Sequence, residues 1–313
     1  MVKILELFGG VGSPRKALIN LGIPVKAIDY VEIDEKAVRS YNAMFEKHLP
    51  YETQTVVGWN LNPDILIHGS PCQDFSIAGY QKGADEGSET RSSLMWETLN
   101  IIEQMGVWKP RIVIWENVKN VISKHMIHNF NKYLAKMEQM GYTNSFEVLN
   151  AMEFGLPQKR ERVFTISTLG GPAFDFDRLE RKPAPHINNF LEHFRDQKIP
   201  KQYIVTQQSM LDRIGVKGTP FSRDCDIISD YAMSITCKQM RYPNSGVIQL
   251  EDGRFRYLTE LECWRLQGYS DKDFKAALRV HPGKEGRLNG ALYAQAGNSI
   301  PVTIFESIFK EII

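Results

Sequence analysis

Two residues in this chain combine a reactive side chain with the end of a strand-like run. Cys72 follows Pro71 in "ILIHGSPCQDFS" (65–76), and Glu116 closes the apolar run "RIVIWEN". A thiol on a strand-end turn is either a small buried hydrophobe or a nucleophile. The stretch after it, "QDFSIAGYQKGADEGSETRSS", is long, polar and glycine-bearing, and reads as a lid beside a site rather than packed core. In a parallel sheet the C-terminal strand ends line one crevice. Cys72 and Glu116 are therefore expected in the same cleft as the turn "LELFGGVGS", with Gly9, Gly10 and Gly12, and as Glu32, which ends the second strand-like run.

That turn suggests a ligand. Glycines between a first strand and a first helix let a bound group approach the backbone and the helix N-terminus, though a plain tight turn is an equal reading of the glycines alone. Glu32 is placed to accept hydrogen bonds from ribose hydroxyls. A dinucleotide would call for glycine at position 15, where Arg15 stands, so only part of the pyrophosphate fingerprint is present. S-adenosylmethionine fits better, having an adenosine and a carboxylate but no phosphate.

The elements that must position these groups follow from periodicity. "KILELF", "VKAIDYVEID", "DILIHG" and "RIVIWEN" read as strands. They alternate with helical stretches beginning "SPRKALINLG", where Ser13 is expected as N-cap and Pro14 as first helical residue. Leu94, Leu99, Ile102 and Met105 mark a further helix, and Ile122, Met126, Phe130, Leu134 and Met137 another. The alternation predicts an α/β, doubly wound, Rossmann-like sheet with helices on both faces. The pattern breaks near Gly170. The chain is then polar with short β-like pieces to about Gly253, and the final stretch "LYAQAGNSIPVTIFESIFKEII" is helical and apolar.

The chain has 313 residues, 42% of them hydrophobic, enough for one large domain with a smaller one. A formal net charge of +1 says nothing of partners, so a nucleic-acid surface would be a local patch. Cys72, Cys225, Cys237 and Cys263 are far apart, without CxxC spacing, which argues against disulfides and a zinc site and for a reducing compartment. No segment approaches the roughly 18 apolar residues of a membrane helix. A cytoplasmic protein is expected, or a nuclear one in a eukaryote.

Taken in order, "LELFGGVGS", "GSPCQDFS", "ENV", "QKRERVF", "RYLTELECWRLQGY" and "AGNSIPV" resemble the DNA (cytosine-5)-methyltransferase family, over nearly the whole chain except about 175 to 250. The resemblance implies a methyl donor, S-adenosylmethionine, and duplex DNA as substrate. Cys72 would be the nucleophile at C6 of cytosine, and Glu116 would hold N3 and the exocyclic amine. Arg160 and Arg162 would orient base and nucleophile, with Arg162 at O2. Phe8, Gly10, Gly12, Glu32, Leu94, Asn298 and Ser299 would hold the cofactor. Pro71 and Gln73 would shape the nucleophile loop, Pro71 also lying against the cofactor. Ile33 stands where the family often has tryptophan. The usual adenine-contacting acid is not evident, with Trp59 or Asn60 in its place. Glu6 and Ser13 replace a frequent aspartate and glycine.

The chemistry needs these groups. Addition of a thiolate at C6 turns C5 into an enamine carbon able to attack a sulfonium methyl, and the base must leave the stack to be reached. Gln73, Ser76, Ile77, Tyr80 and Gln81 are expected to meet DNA around the flipped base. Lys238, Gln239 and Arg241 in "CKQMRYPNSG" are expected to meet it from a target-recognition domain. The catalytic domain is expected over 1–175 and 285–313, with the recognition domain over 176–284. The compact size suggests a bacterial or phage enzyme acting as a monomer, with a cognate restriction endonuclease left open. The rivals are the same reaction on tRNA, whose branch carries a Cys-Phe-Thr signature not seen here, and a silent DNA-binding relative.

Overall fold

The computed structural model describes residues 2–45, 50–57, 62–70, 94–194, 198–216 and 225–313, with 25–28 as backbone only. The N-terminal half runs β1 (Val2–Leu7), α1 (Ser13–Asn20), β2 (Val25–Val31), α2 (Glu35–Phe45), β3 (Ile65–His68), α3 (Leu94–Gln104), β4 (Ile112–Val118) and α4 (Ile127–Gln139). The β1 to β4 strands pair in parallel, in the order β2-β1-β3-β4. Side chains alternate across a strand, so each apolar run feeds two cores. Ile4, Ile65, Ile67, Ile112 and Ile114 enter one layer; Leu5, Leu66, Val113 and Trp115 enter the other, beneath α3 and α4. The expected doubly wound α/β fold is present.

The sheet continues beyond β4 in a way that the apolar runs did not disclose. The strands β5 (Tyr142–Asn150) and β7 (Glu161–Leu169) complete six strands, with β7 antiparallel to both β4 and β5. Between them lies β6 (Gln158–Lys159), paired in parallel with the later strand Ala232–Met233. The antiparallel register sets Val118 opposite Arg162 and Glu116 opposite Phe164. It thereby brings the start of β7 back to the C-terminal end of β4.

From Gly170 to Gly253 the described elements are short: α5 (Gln208–Leu211), β8 (Ala232–Met233) and β9 (Ile248–Gln249), besides single 3-10 turns. Then follow β10 (Phe255–Arg256), α6 (Glu260–Arg265), α7 (Asp271–Val280), α8 (Gly290–Asn298) and α9 (Val302–Ile312). The last helix lies on α1 and buries Ile304, Phe305, Ile308 and Phe309 in the layer that holds Ile4. The α7 helix lies on α2, and Lys16 on α1 pairs with Asp273 at 2.8 Å. A buried bidentate pair, Arg256 with Glu262, locks β10 to α6 at 2.8 Å for both bonds. The α6 N-terminus carries a capping box between Thr259 and Glu262.

Candidate active site

At the C-terminal edge of the sheet Glu116 is buried, and its Oε1 lies 3.1 Å from Nε of Arg162. Burial pushes the carboxyl above its ordinary range; Arg162, and after it Arg160, pull it back. Gly69 directly follows β3 on the same face. A Cβ on it would stand 3.6 Å from Glu116 Oε2. Ser70 accepts a hydrogen bond from the Trp115 indole at 3.2 Å. The backbone leading toward position 72 thus passes against Glu116 and is tied to β4. Pro71, Cys72, Gln73, Ser76, Ile77, Tyr80 and Gln81 lie outside the described residues, as do Trp59 and Asn60.

The glycine turn is tightly built on one side and open on the other. Phe8 holds a left-handed φ of 56°, and Gly10 and Gly12 have φ of 53° and 80°. Side chains at Gly9 or Gly12 would collide with the Tyr30 and Tyr41 rings, which stack with centroids 3.6 Å apart. At Gly10 nothing lies within 4 Å of the Cβ position. Glu32 is anchored here: Oε2 accepts from the Gly10 N–H (2.9 Å), and Oε1 accepts from the N–H groups of Ile33 (2.7 Å) and Asp34 (2.9 Å). A carboxylate offers about four acceptor positions, so a further donor can be taken. Ile33 beside it is 74% exposed, an apolar surface next to an acid and a bare turn.

A family model for "C-5 cytosine-specific DNA methylase" matches residues 2–313. The chain belongs to that family. This methylase is similar to the Type II methyltransferase M2.ScrFI of Lactococcus lactis subsp. cremoris, with 32% identity over 372 aligned positions covering 100% of this chain and 99% of the relative. Its fold is that of the methyltransferase EhMeth of Entamoeba histolytica (TM-score 0.79, 16% identity, 100% and 98% of the two chains). The S. pombe Dnmt2 methyltransferase shares it too (TM-score 0.75, 18% identity, 99% and 97%). It is a DNA cytosine methyltransferase. Among the described residues no helix is long and apolar enough to cross a membrane, and no cluster of His, Cys, Asp and Glu is suited to a metal.

Other expected residues of the methylase fall in different settings. Arg162 faces Glu116, but Arg160 is buried and donates to main chain: Nη1 to Ile235 O (2.8 Å), Nη2 to Gly297 O (3.0 Å) and Ser299 O (2.8 Å). Among the described residues its guanidinium is a strap between segments, because a planar fork in a closed space bonds the carbonyls around it. Leu94 begins α3 and is half-buried, Asn298 ends α8 and is exposed, and Ser299 is buried.

Lys238 and Arg241 are exposed, whereas Gln239 is fully buried and donates to Ser245. Its expected place facing DNA is corrected: the turn at 236–242 points the amide inward, where burial requires a partner. Ser13 is corrected as well. The N-cap of α1 is Gly12, in a left-handed conformation, and the Ser13 hydroxyl turns to Tyr269 and Ser299 instead. Gly69 and Tyr269 escaped sequence reading. Gly69 stands in the sequence only as the glycine that ends an apolar run, and nothing local marked Tyr269.

Proposed function

We propose that the methylase transfers a methyl group from S-adenosylmethionine to C5 of a flipped-out cytosine in a specific duplex DNA sequence, through a covalent bond from Cys72 to C6. The observation that carries this is the Glu116–Arg162 pair abutting Gly69, three residues before the thiol. Burial favours the protonated form of Glu116, which can donate to N3 as the thiolate adds to C6. Arg162 holds Glu116 in place and presents donors toward O2. Methyl transfer leaves S-adenosylhomocysteine; the C5 proton then goes to a base, the Cys72–C6 bond breaks to return the thiolate, and N3 gives its proton back to Glu116.

The glycine turn suits the cofactor: an open face at Gly10, an anchored Glu32 with acceptor capacity to spare, and the exposed Ile33 as an apolar rest for adenine. Phe8, Gly12, Leu94, Asn298 and Ser299, with Asn60 and Pro71, complete the proposed set. When bound, S-adenosylmethionine supplies an electrophilic sulfonium methyl. DNA would lie between a catalytic unit over 1–175 and 285–313 and a recognition unit over 176–284. Lys238 and Arg241 would face it, together with Gln73, Ser76, Ile77, Tyr80 and Gln81. The enzyme would act as a cytoplasmic monomer.

Incubation with methyl-labelled S-adenosylmethionine is expected to label duplex DNA and not total tRNA. Bisulfite sequencing of DNA from expressing cells should report the methylated motif. A duplex with 5-fluorocytosine at that motif should become covalently attached to wild type and not to Cys72→Ala. Label confined to tRNA would overturn the DNA assignment, and no adduct with wild type would overturn the covalent step.

A further inference from the structure

Three buried hydroxyls meet where the glycine turn, the α6–α7 connection and the end of α8 converge. Ser13 Oγ lies 2.8 Å from Tyr269 Oη and 3.0 Å from Ser299 Oγ, and Tyr269 Oη lies 3.0 Å from Ser299 Oγ. Each hydroxyl has one proton and can accept in turn, so a closed ring uses every donor. Ser13 directly follows Gly12. Ser299 is the hub: its hydroxyl belongs to the ring, and its carbonyl accepts from Arg160. The same guanidinium reaches Ile235 O and, at 3.3 Å, Ser234 Oγ. A methyl at Gly297 would overlap the Thr236–Cys237 peptide, so the α8 backbone seats directly on the segment that leads to Lys238 and Arg241. Gln158 reinforces the joint by donating to Leu266 O at 2.8 Å and accepting from the Ile235 N–H at 3.0 Å.

We infer that Ser13 and Tyr269 are positioning residues. Through Ser299 and Arg160 they tie the geometry of the glycine turn to that of residues 234–241, so that occupancy of the turn and grip on DNA strengthen each other. This rests on the cofactor and DNA sites proposed above. The physical basis is a run of buried hydrogen bonds from the Ser13, Tyr269 and Ser299 hydroxyls, through the Ser299 carbonyl and Arg160, to the carbonyl of Ile235, three residues before Lys238. A serine where glycine is frequent in the family supplies the link at the turn. Coupling of this kind is reciprocal: whatever factor the cofactor lends to DNA affinity, DNA must lend to cofactor affinity.

The test measures the dissociation constant of a duplex carrying the methylated motif, with and without saturating S-adenosylhomocysteine, for wild type, Tyr269→Phe and Ser13→Ala. Wild type is expected to bind the duplex at least several-fold more tightly with the cofactor product present. Either variant should bring that ratio toward one while changing duplex affinity without the product by less than about twofold. Titration of S-adenosylhomocysteine with and without the duplex should give the same ratios. Phe retains the ring and its packing; should it lower the melting temperature, Ser13→Ala, which removes one atom, serves as the independent variant. Ratios in both variants equal to wild type would overturn the inference, as would a wild-type ratio of one. Failure to bind S-adenosylhomocysteine at all would instead strike at the cofactor assignment.

Discussion

Arg162 Nε sits 3.1 Å from Glu116 Oε1, across an antiparallel strand pair in which the two residues are offset by two positions. The offset matters: Arg162 is directly opposite Val118, so its side chain reaches back along β4 to the carboxylate instead of out to solvent. The acid is tuned by opposing influences: burial raises its proton affinity, and the charges of Arg162 and, less, Arg160 restrain it.

Glu116→Gln is therefore expected to lower the turnover rate by about 10²- to 10⁴-fold with little effect on cofactor affinity. In the proposed mechanism the working form of Glu116 is the protonated one, so activity is expected to fall as pH rises through its elevated pKa. Arg162 lowers that pKa. In Arg162→Gln the residual activity should persist to higher pH than in wild type. Single-turnover rates across pH check both statements, and an alkaline limb that stays in place in Arg162→Gln would show that another group titrates there.

Glu6 predicts a pH effect on stability. It is buried beneath the start of α1, and burial raises its pKa from 4.5 to about 8, with the charge and the backbone N–H of Arg15 pulling back only part of the way. Below 4.5 the group is protonated folded or unfolded. Between 4.5 and about 8 only the folded state keeps the proton, so stability declines as pH rises through that window. Glu6→Gln should raise stability at pH 8 by on the order of 1–3 kcal/mol and change little at pH 4.5. Urea melts at the two pH values make the comparison.

The glycine turn separates a folding defect from a binding defect. Gly12→Ala meets the Tyr41 ring at 2.5 Å in a left-handed backbone and should destabilise strongly. Gly10→Ala meets no atom within 4 Å. It should fold, at a cost of about 1–2 kcal/mol from its positive φ, yet bind S-adenosylhomocysteine at least tenfold more weakly. Calorimetric titration and thermal melts of the two variants would expose the contrast. Unchanged binding by Gly10→Ala would remove the cofactor from that face.

Arg256 and Glu262 form a pair with almost no solvent contact. Glu262 also accepts from the Thr259 and Glu192 N–H groups at 2.8 Å each. Glu262→Ala would leave the guanidinium buried without its anion and should cost about 3–5 kcal/mol. Denaturant unfolding reads this directly. A loss below 1 kcal/mol would mean that water reaches the site.

The parallel half of the fold was legible because β1, β3 and β4 are buried on both faces and so read as unbroken apolar runs. The antiparallel pair was not. "YTNSFEVLN" lies at the sheet edge with polar and apolar residues mixed, and β7 owes its place to antiparallel pairing with β5 on one side and β4 on the other. At the site, residue types marked Glu116, Arg162 and the glycine turn. They could not tell Arg162, aimed at Glu116, from Arg160, clasping main chain, because two arginines two positions apart look alike until their strands are placed. Gln239 failed for the same reason: a donor side chain carries no sign of whether it turns in or out. Ser13 looked like a cap because caps are local, whereas its partners lie more than 250 residues away.

The placement of α9 on α1 also bears on synthesis. A ribosome adds residues in order, so the apolar face of α1 waits for Phe305 and Phe309 to be translated before it is covered. The layer under the glycine turn is therefore sealed by a contact of long sequence separation, and its closure belongs late in folding.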